Sequence, residues 1–463
     1  MKKKLSLILA IVLSFTLLIA ACSPNQPAAP AGDGDNGQAA TADDDATGDD
    51  EPAGAGETRE ILVYSTIVNE AAAPHFFAYF EEEHNVSIVH INITAEEFMR
   101  TLSVALGGGQ EIDVLGVNGQ DIRALSGRGV IRDMSDFAHW YRFSPSSIEQ
   151  VSIGGTPFAV PADTAGGMNM YYNYDLFERY GVSVPTNMAE LRVARDAFAE
   201  HGISMFAHCG ATIYMWPSWY FMLFNSTSGG YAVERTEEIL RGQGSFTDPD
   251  SLQAFQILAE LGDGFFQPGV NAADREAGEQ VFIQELTAMT FAGSWQLSSF
   301  RLAGMGDNLR ATSQLSFVDG EPFRTTGAAG AGNAVTIATT TPDESLAMAL
   351  VEYWTRDEKV VEMQYADYLE SPRTSAAIFA NVNAQIPEGI ELDPIEEYWR
   401  INMLPGMKIW LDWLWPPEVT TAFQQQIQMV VGQQTTAEAA AAEVQRVLEE
   451  LFADGYDFDD LGE

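Results

Sequence analysis

Cysteine occurs only twice in this chain of 463 residues, at Cys22 and Cys209, and lysine only five times, at positions 2, 3, 4, 359 and 408. Two cysteines exclude a disulfide-rich scaffold and a cysteine-based zinc site. The shortage of lysine leaves nearly all positive charge on arginine, and 24 Lys+Arg face 66 Asp+Glu for a net charge of -42. So acidic a surface excludes broad nucleic-acid binding, because phosphate contacts need a basic face. Attraction by charge to a polyanion or an acidic membrane is excluded on the same ground. The chain also lacks His-Glu-x-x-His, Gly-x-Ser-x-Gly and a Walker loop. His75, His84 and His90 do not have zinc-ligand spacing. His208 and Cys209 are sequence neighbours, which suits a buried structural thiol better than a nucleophile–base pair. No catalytic residue, metal or cofactor is therefore expected.

What is present is the composition of a folded protein, 46% hydrophobic and 19% charged, with enough chain for two or three domains. Lys2, Lys3 and Lys4 precede an apolar run from Leu5 to Ala21 that ends at Cys22. A basic start, an apolar stretch and small residues before a cut read as a secretory signal, 1–21. Leu18-Ile19-Ala20-Ala21-Cys22 resembles the lipobox of bacterial lipoproteins, which implies a lipid on Cys22 and a membrane anchor. Residues 22–58 then turn to Ala, Gly, Pro, Asp and Asn with almost nothing to bury, the composition of a disordered acidic tether. Its Gly-Asp-Gly-Asp-Asn-Gly stretch lacks the bidentate glutamate of a calcium loop and reads as spacer.

From Ile61 onward strands alternate with helices. Ile61 to Ser65 is a short apolar strand, Val86 to Ile93 a second and Ile112 to Val117 a third. Between them, Thr94 and Glu97 form a capping box ahead of the stripe Phe98, Leu102, Ala105 and Leu106. This β-α-β-α-β order predicts an α/β fold with a mainly parallel sheet, whose ligands gather at the carboxyl ends of the strands. Gly167 to Tyr172 predicts another strand, and Asn173 opens a helix that Gly181 closes. Thr341, with proline next, is expected to cap one later helix and Thr435 the last.

Several stretches in this order resemble the extracellular solute-binding proteins of family 1, the carbohydrate-type receptors of ABC importers. Phe80 to Val86 is like F-E-x-x-x-P-I-x-V, and Gly109 to Val114 is similar to G-x-x-P-D-V with Ile112 in place of proline. Tyr171 to Phe177 is close to Y-Y-N-K-D-L-F, with Tyr174 for the lysine. Gly155 to Pro161, Ala288 to Trp295 and Gly432 to Ala441 resemble G-K-x-Y-G-V-P, A-M-x-x-x-G-S-W and G-x-x-T-x-E-E-A, the first of them loosely. The resemblance implies a periplasmic-binding-protein-like fold of two α/β lobes with a ligand cleft between them. Lobe one would hold 59–162 and 294–330, and lobe two 163–293 and 331–463, with crossings near Asp163 and Phe291.

The implied function is capture of a sugar or oligosaccharide outside the cell and its delivery to an ABC permease, by a monomer anchored through lipid to the outer face of the cell membrane. Sugar recognition needs flat apolar rings and planar polar groups. Trp295, after the Gly293-Ser294 turn, is the expected platform, with lobe-core packing as the alternative. Trp216 and Trp219 can share one helix face, either at the cleft or in the core. Trp410, Trp413 and Trp415 crowd around Asp412 and read as packing. Tyr64, Asn118, Gln120, Asp163 and Arg373 are polar candidates at strand ends or crossings, and Gly332 would let a backbone amide approach a ligand. Another small solute (a polyamine, polyol or peptide), a surface carbohydrate hydrolase and a sensory partner without transport are the rival readings.

Overall fold

The computed structural model describes residues 59–68, 73–143, 145–162, 166–212, 215–293, 296–324, 326–328, 332–355, 395 and 409–458. The signal and tether expected over 1–58, Cys22 included, lie outside the described residues. In chain order the strands are β1 (Arg59–Ser65), β2 (Val86–Asn92), β3 (Val114–Asn118), the small hairpin β4 (Ser152–Ile153) and β5 (Thr156–Pro157), and β6 (Val160–Pro161). They continue with β7 (Gly166–Asn173), β8 (Ser204–Ala207), β9 (Thr287–Gly293), β10 (Leu309–Thr312), β11 (Thr326–Ala328) and β12 (Asn333–Ile337).

Two sheets of five strands result. The first has the order β2-β1-β3-β12-β6, with β1, β2 and β3 parallel and β12 antiparallel to both its neighbours. Its apolar strands are covered on both faces, as such a sheet requires. Phe76, Phe77, Phe80, Leu350, Val351 and Trp354 pack on one side, and Phe98, Leu102, Ile122 and Leu125 on the other. Asp113 ties this sheet together at its amino edge. Its Oδ2 accepts the Leu62 amide at 2.9 Å and its Oδ1 accepts the Thr341 hydroxyl at 2.6 Å.

The second sheet has the order β10-β7-β9-β8, with β11 also paired to β7. Strands β8 and β9 are parallel, and β7 runs against β9, β10 and β11. The helices Trp216–Thr227, Pro249–Gly262, Pro417–Val431 and Ala437–Ala453 build a large core on one face. Phe282, Leu297 and Phe300 cover the other.

Strand pairing divides the chain differently from the expected lobes. Strands β10 and β11 lie within 294–330 yet pair with β7 in the second sheet, while β12 lies within 331–463 yet pairs with β3 and β6 in the first. Phe291 sits inside β9, at no crossing. The chain passes between sheets after β6 and again between β11 and β12. The motif spacing placed the second passage too early because nothing in the apolar run Ala288 to Gly293 marks which sheet a strand will join.

Two helix caps also moved. Asp343, not Thr341, caps Glu344–Trp354, its carboxylate accepting the Leu346 amide at 3.0 Å. The Thr341 hydroxyl instead donates to Asp113 Oδ1 at 2.6 Å and accepts the Asp343 amide at 3.3 Å, so it reaches no amide of the helix's first turn. The last helix is capped by Thr436, whose hydroxyl accepts the Ala439 amide at 3.2 Å, one residue beyond Thr435. Asn173 and Gly181 cap Tyr174–Tyr180 as expected, the glycine with φ of 64°.

Candidate functional site

Carboxyl ends of β1, β3 and β6 and the amino end of β12 all lie on one edge of the first sheet. In the second sheet the carboxyl ends of β8, β9 and β11 and the amino end of β7 share an edge in the same way. Five residue steps from Pro161 to Gly166 can span at most about 18 Å, so the two edges are held near each other. The second passage, from Ala328 to Asn333, has the same length and the same limit. This shared edge is where a solute can touch both halves.

On the first sheet the edge is built by β3 and the 3-10 turn after it, Gly119–Asp121. The Gly119 amide donates to the Gly332 carbonyl at 3.2 Å, which brings Asn118, Gln120 and Gly332 together as candidates. Gln120 is exposed and Asn118 half-buried, so both can reach solvent. Tyr64 is different. It is buried in the first core, and its hydroxyl donates to Gln110 Oε1 at 2.9 Å, so it supports the sheet rather than offering a free group.

Next to these candidates lies a residue that sequence reasoning passed over. Asp121 is only 9% exposed, its Oδ2 has no hydrogen-bond partner among the described residues, and burial pushes its carboxyl up to about 7. A buried carboxylate oxygen without a donor is costly, and such groups gather at functional sites. Against the Gly119–Asp121 turn packs a second 3-10 turn, Leu411–Trp413, which also touches the helices Trp216–Thr227 and Ala232–Leu240 of the second half. Asp412, half-buried in that turn, is likewise raised to about 7 by loss of water around it. The 411–413 turn therefore bridges the two halves at the first sheet's carboxyl edge.

The second sheet's edge carries His208, Cys209 and Gly210 just after β8. Trp216 and Trp219, candidate cleft platforms, are both fully buried in the second core. Trp219 Nε1 donates to His208 Nδ1 at 3.2 Å, and the His208 ring lies 4.1 Å from that of Trp216. The helix they begin is buried along nearly its whole length, which buries both rings instead of turning one face outward. Desolvation lowers His208 to about 3, so it stays neutral, with Nδ1 accepting and the proton on Nε2. Cys209, free and buried, is raised to about 12 by burial and is no nucleophile. Trp410 and Trp415 are core, the latter stacked on Phe423 at 3.9 Å. The candidates Asp163, Trp295 and Arg373 lie outside the described residues.

An open depression of about 500 Å³ lies elsewhere, lined by Gln256, Gln433, Gln434 and Glu438. It is formed by the middle of one helix and the connection between the last two, with no strand end in its wall, so we place no site there. Among the described residues no group of three or more His, Cys, Asp and Glu is arranged to hold a metal, and no helix is long and apolar enough to cross a membrane.

The fold has close counterparts among solved structures. A chitin oligosaccharide binding protein superposes with a TM-score of 0.72 at 19% identity, over 86% of this chain and 100% of that one. The solute-binding protein RafE, solved with raffinose, gives 0.65 at 21% identity over 85% and 100%. The GacH receptor of Streptomyces glaucescens, solved with acarbose, gives 0.68 at 16% identity over 86% and 99%. No curated protein matches the chain by sequence. The profile of the bacterial extracellular solute-binding proteins matches residues 76–385, about two-thirds of the chain. With that match and two sheets joined at their carboxyl edges, the chain belongs to the bacterial extracellular solute-binding proteins.

Proposed function

We propose that this protein captures a sugar or oligosaccharide between its two halves and hands it to an ABC importer. The observation that carries the reading is the pair of short passages that hold two strand-end edges together, with Asn118, Gln120, Asp121 and Gly332 on one of them. An open edge of this kind binds by affinity and closure; no bond needs to be broken, and no nucleophile–base pair occurs among the described residues around it. Closure of the halves gives the permease a surface distinct from the empty form. Structurally similar receptors solved with raffinose and acarbose support a saccharide over other solutes.

The lobe division that follows strand pairing is 59–161 with 333–355 in one lobe, and 166–328 with 409–458 in the other. Asp163, Trp295 and Arg373 remain proposed ligand contacts, and Cys22 the proposed lipid attachment that keeps a monomeric receptor on the outer membrane face. A thermal-shift screen of mono- and oligosaccharides tests the reading, since a ligand at 100 times its Kd adds ~2.7 kcal/mol of stability. A clear shift with one saccharide series supports it; no shift with any saccharide, alongside one with a peptide or polyol, overturns it. Cys22→Ser should release the protein from membranes, and unchanged membrane attachment would refute the anchor.

A further inference from the structure

We infer that Asn118 is a latent deamidation site, held in check by one hydrogen bond between Gly119 and Gly332. Asn-Gly occurs twice in the chain, at Asn36 and Asn118. Glycine after asparagine leaves the main-chain nitrogen without a flanking side chain, so the carboxamide can approach it. Asn118 ends β3, half-buried, and its side chain makes no bond to the turn it precedes. The Gly119 amide donates to the Gly332 carbonyl at 3.2 Å, the long end of the usual range. Glycine stands on both sides of that bond, where the backbone has most freedom to turn.

In the reaction, hydroxide takes the Gly119 amide proton and the nitrogen attacks Cγ of Asn118. The N–Cγ bond forms, the Cγ–Nδ2 bond breaks, and ammonia leaves with a proton from water. Water then opens the five-membered imide at either carbonyl, giving aspartate or its isomer with the main chain routed through Cγ. Two features of the fold restrain the first step. The Gly119 proton is engaged by Gly332. Closing the ring also brings the nitrogen into line with the Cα–Cβ bond, so Asn118 must leave its extended ψ of 148°. The product changes this edge. It exchanges two N–H donors for a carboxylate. The isomer adds one carbon to the main chain where Asn118 faces Asn333 in the pairing of β3 with β12. No solute takes part, so the inference stands or falls apart from saccharide capture.

The test ages the full chain in mildly alkaline buffer, folded and in concentrated urea, and follows both Asn-Gly sites by peptide mass mapping with an isoaspartate assay. In urea Asn36 and Asn118 should convert at similar rates. In the folded chain Asn118 should convert ~10- to 1000-fold more slowly than in urea, the range set by breaking one hydrogen bond and turning one residue. Retardation beyond roughly 1000-fold means that only unfolding of the whole chain frees the site, and overturns the inference. Equal rates in the folded and unfolded chain overturn the control by Gly332. Gly119→Ala, read in urea where its effect on folding plays no part, should slow conversion of Asn118 and leave Asn36 unchanged. An unchanged rate at Asn118 in that variant would overturn the route through the Gly119 nitrogen.

Discussion

Ala162 donates its backbone amide to the carbonyl of Asn333 at 3.1 Å. These residues bound the two passages between the sheets, so one hydrogen bond ties the end of the first passage's departure to the end of the second's arrival. The candidate site residues Gly332 and Gly119, joined by their own backbone hydrogen bond, lie next to it.

Gly116 packs where nothing larger fits. A methyl group there would stand 2.5 Å from Ser65 Oγ, the oxygen that accepts the Ile67 and Val68 amides at 2.9 and 3.2 Å. Gly116→Ala should therefore destabilise the protein by about 1–3 kcal/mol through overpacking. Because the displaced segment follows β1 at the site edge, solute affinity should fall as well. Urea unfolding and a binding titration check both effects.

Two buried tryptophans should respond differently to the same change. Trp219 donates to His208, whereas Trp216 Nε1 has no partner among the described residues. Trp219→Phe should cost about 1 kcal/mol more than Trp216→Phe, the worth of one hydrogen bond plus the acceptor it strands. Replacing either by alanine should cost ~3–5 kcal/mol of folding stability. Equal losses for the two phenylalanine variants would contradict this assignment.

Asp121 gives stability a sign with pH. Its carboxyl titrates near 7 when folded and near 3.8 as a free side chain, so the fold binds the proton more tightly than the unfolded chain. That contribution is fully present below about pH 4 and is lost as pH rises to about 7. Asp121→Asn should be more stable than the parent at pH 8, by about 2 kcal/mol or more, and the gap should close by pH 4. The difference between the two proteins is the quantity to follow. Asp343 and Glu190, whose carboxyls are held low by hydrogen bonds, make the common background run the opposite way in acid. A residue that stabilises the fold would show the reverse at pH 8.

Salt should stabilise this chain. With 66 acids against 24 bases the compact state repels itself, and raising monovalent salt from about 0.01 to 1 M shortens the screening length from ~30 to ~3 Å. The melting temperature should rise over that range. A flat or falling curve would contradict it.

Much of the first sheet was legible because each step is local. The apolar run at Ile61, the β-branched run at Val86 and the Phe98–Leu102 stripe fix their elements over a few residues, and the parallel order follows from their alternation. Strand membership after Gly293 was not legible, since pairing of β12 with β3 joins residues more than 200 positions apart. Asn118, Gln120 and Gly332 could be put forward as candidates from strand ends alone. Asp121 could not: a carboxylate after a strand reads as a helix-start or turn residue, and only the fold reveals that its oxygen is buried without a donor. The tryptophan pair misled for the opposite reason. Spacing of i and i+3 places two rings on one helix face, but whether that face meets solvent depends on what packs over it, here the rings of Phe266 and Phe291.

Small-angle X-ray scattering on the full chain, with and without the saccharide that gives the largest thermal shift, tests the capture between halves most directly. The radius of gyration should fall as the saccharide saturates and follow the same binding curve as the heat of titration. In Asp121→Asn the curve should move to higher saccharide concentration by roughly tenfold or more. Saturation with no change in the radius would contradict closure of the halves, and an unmoved curve in the variant would remove Asp121 from the site.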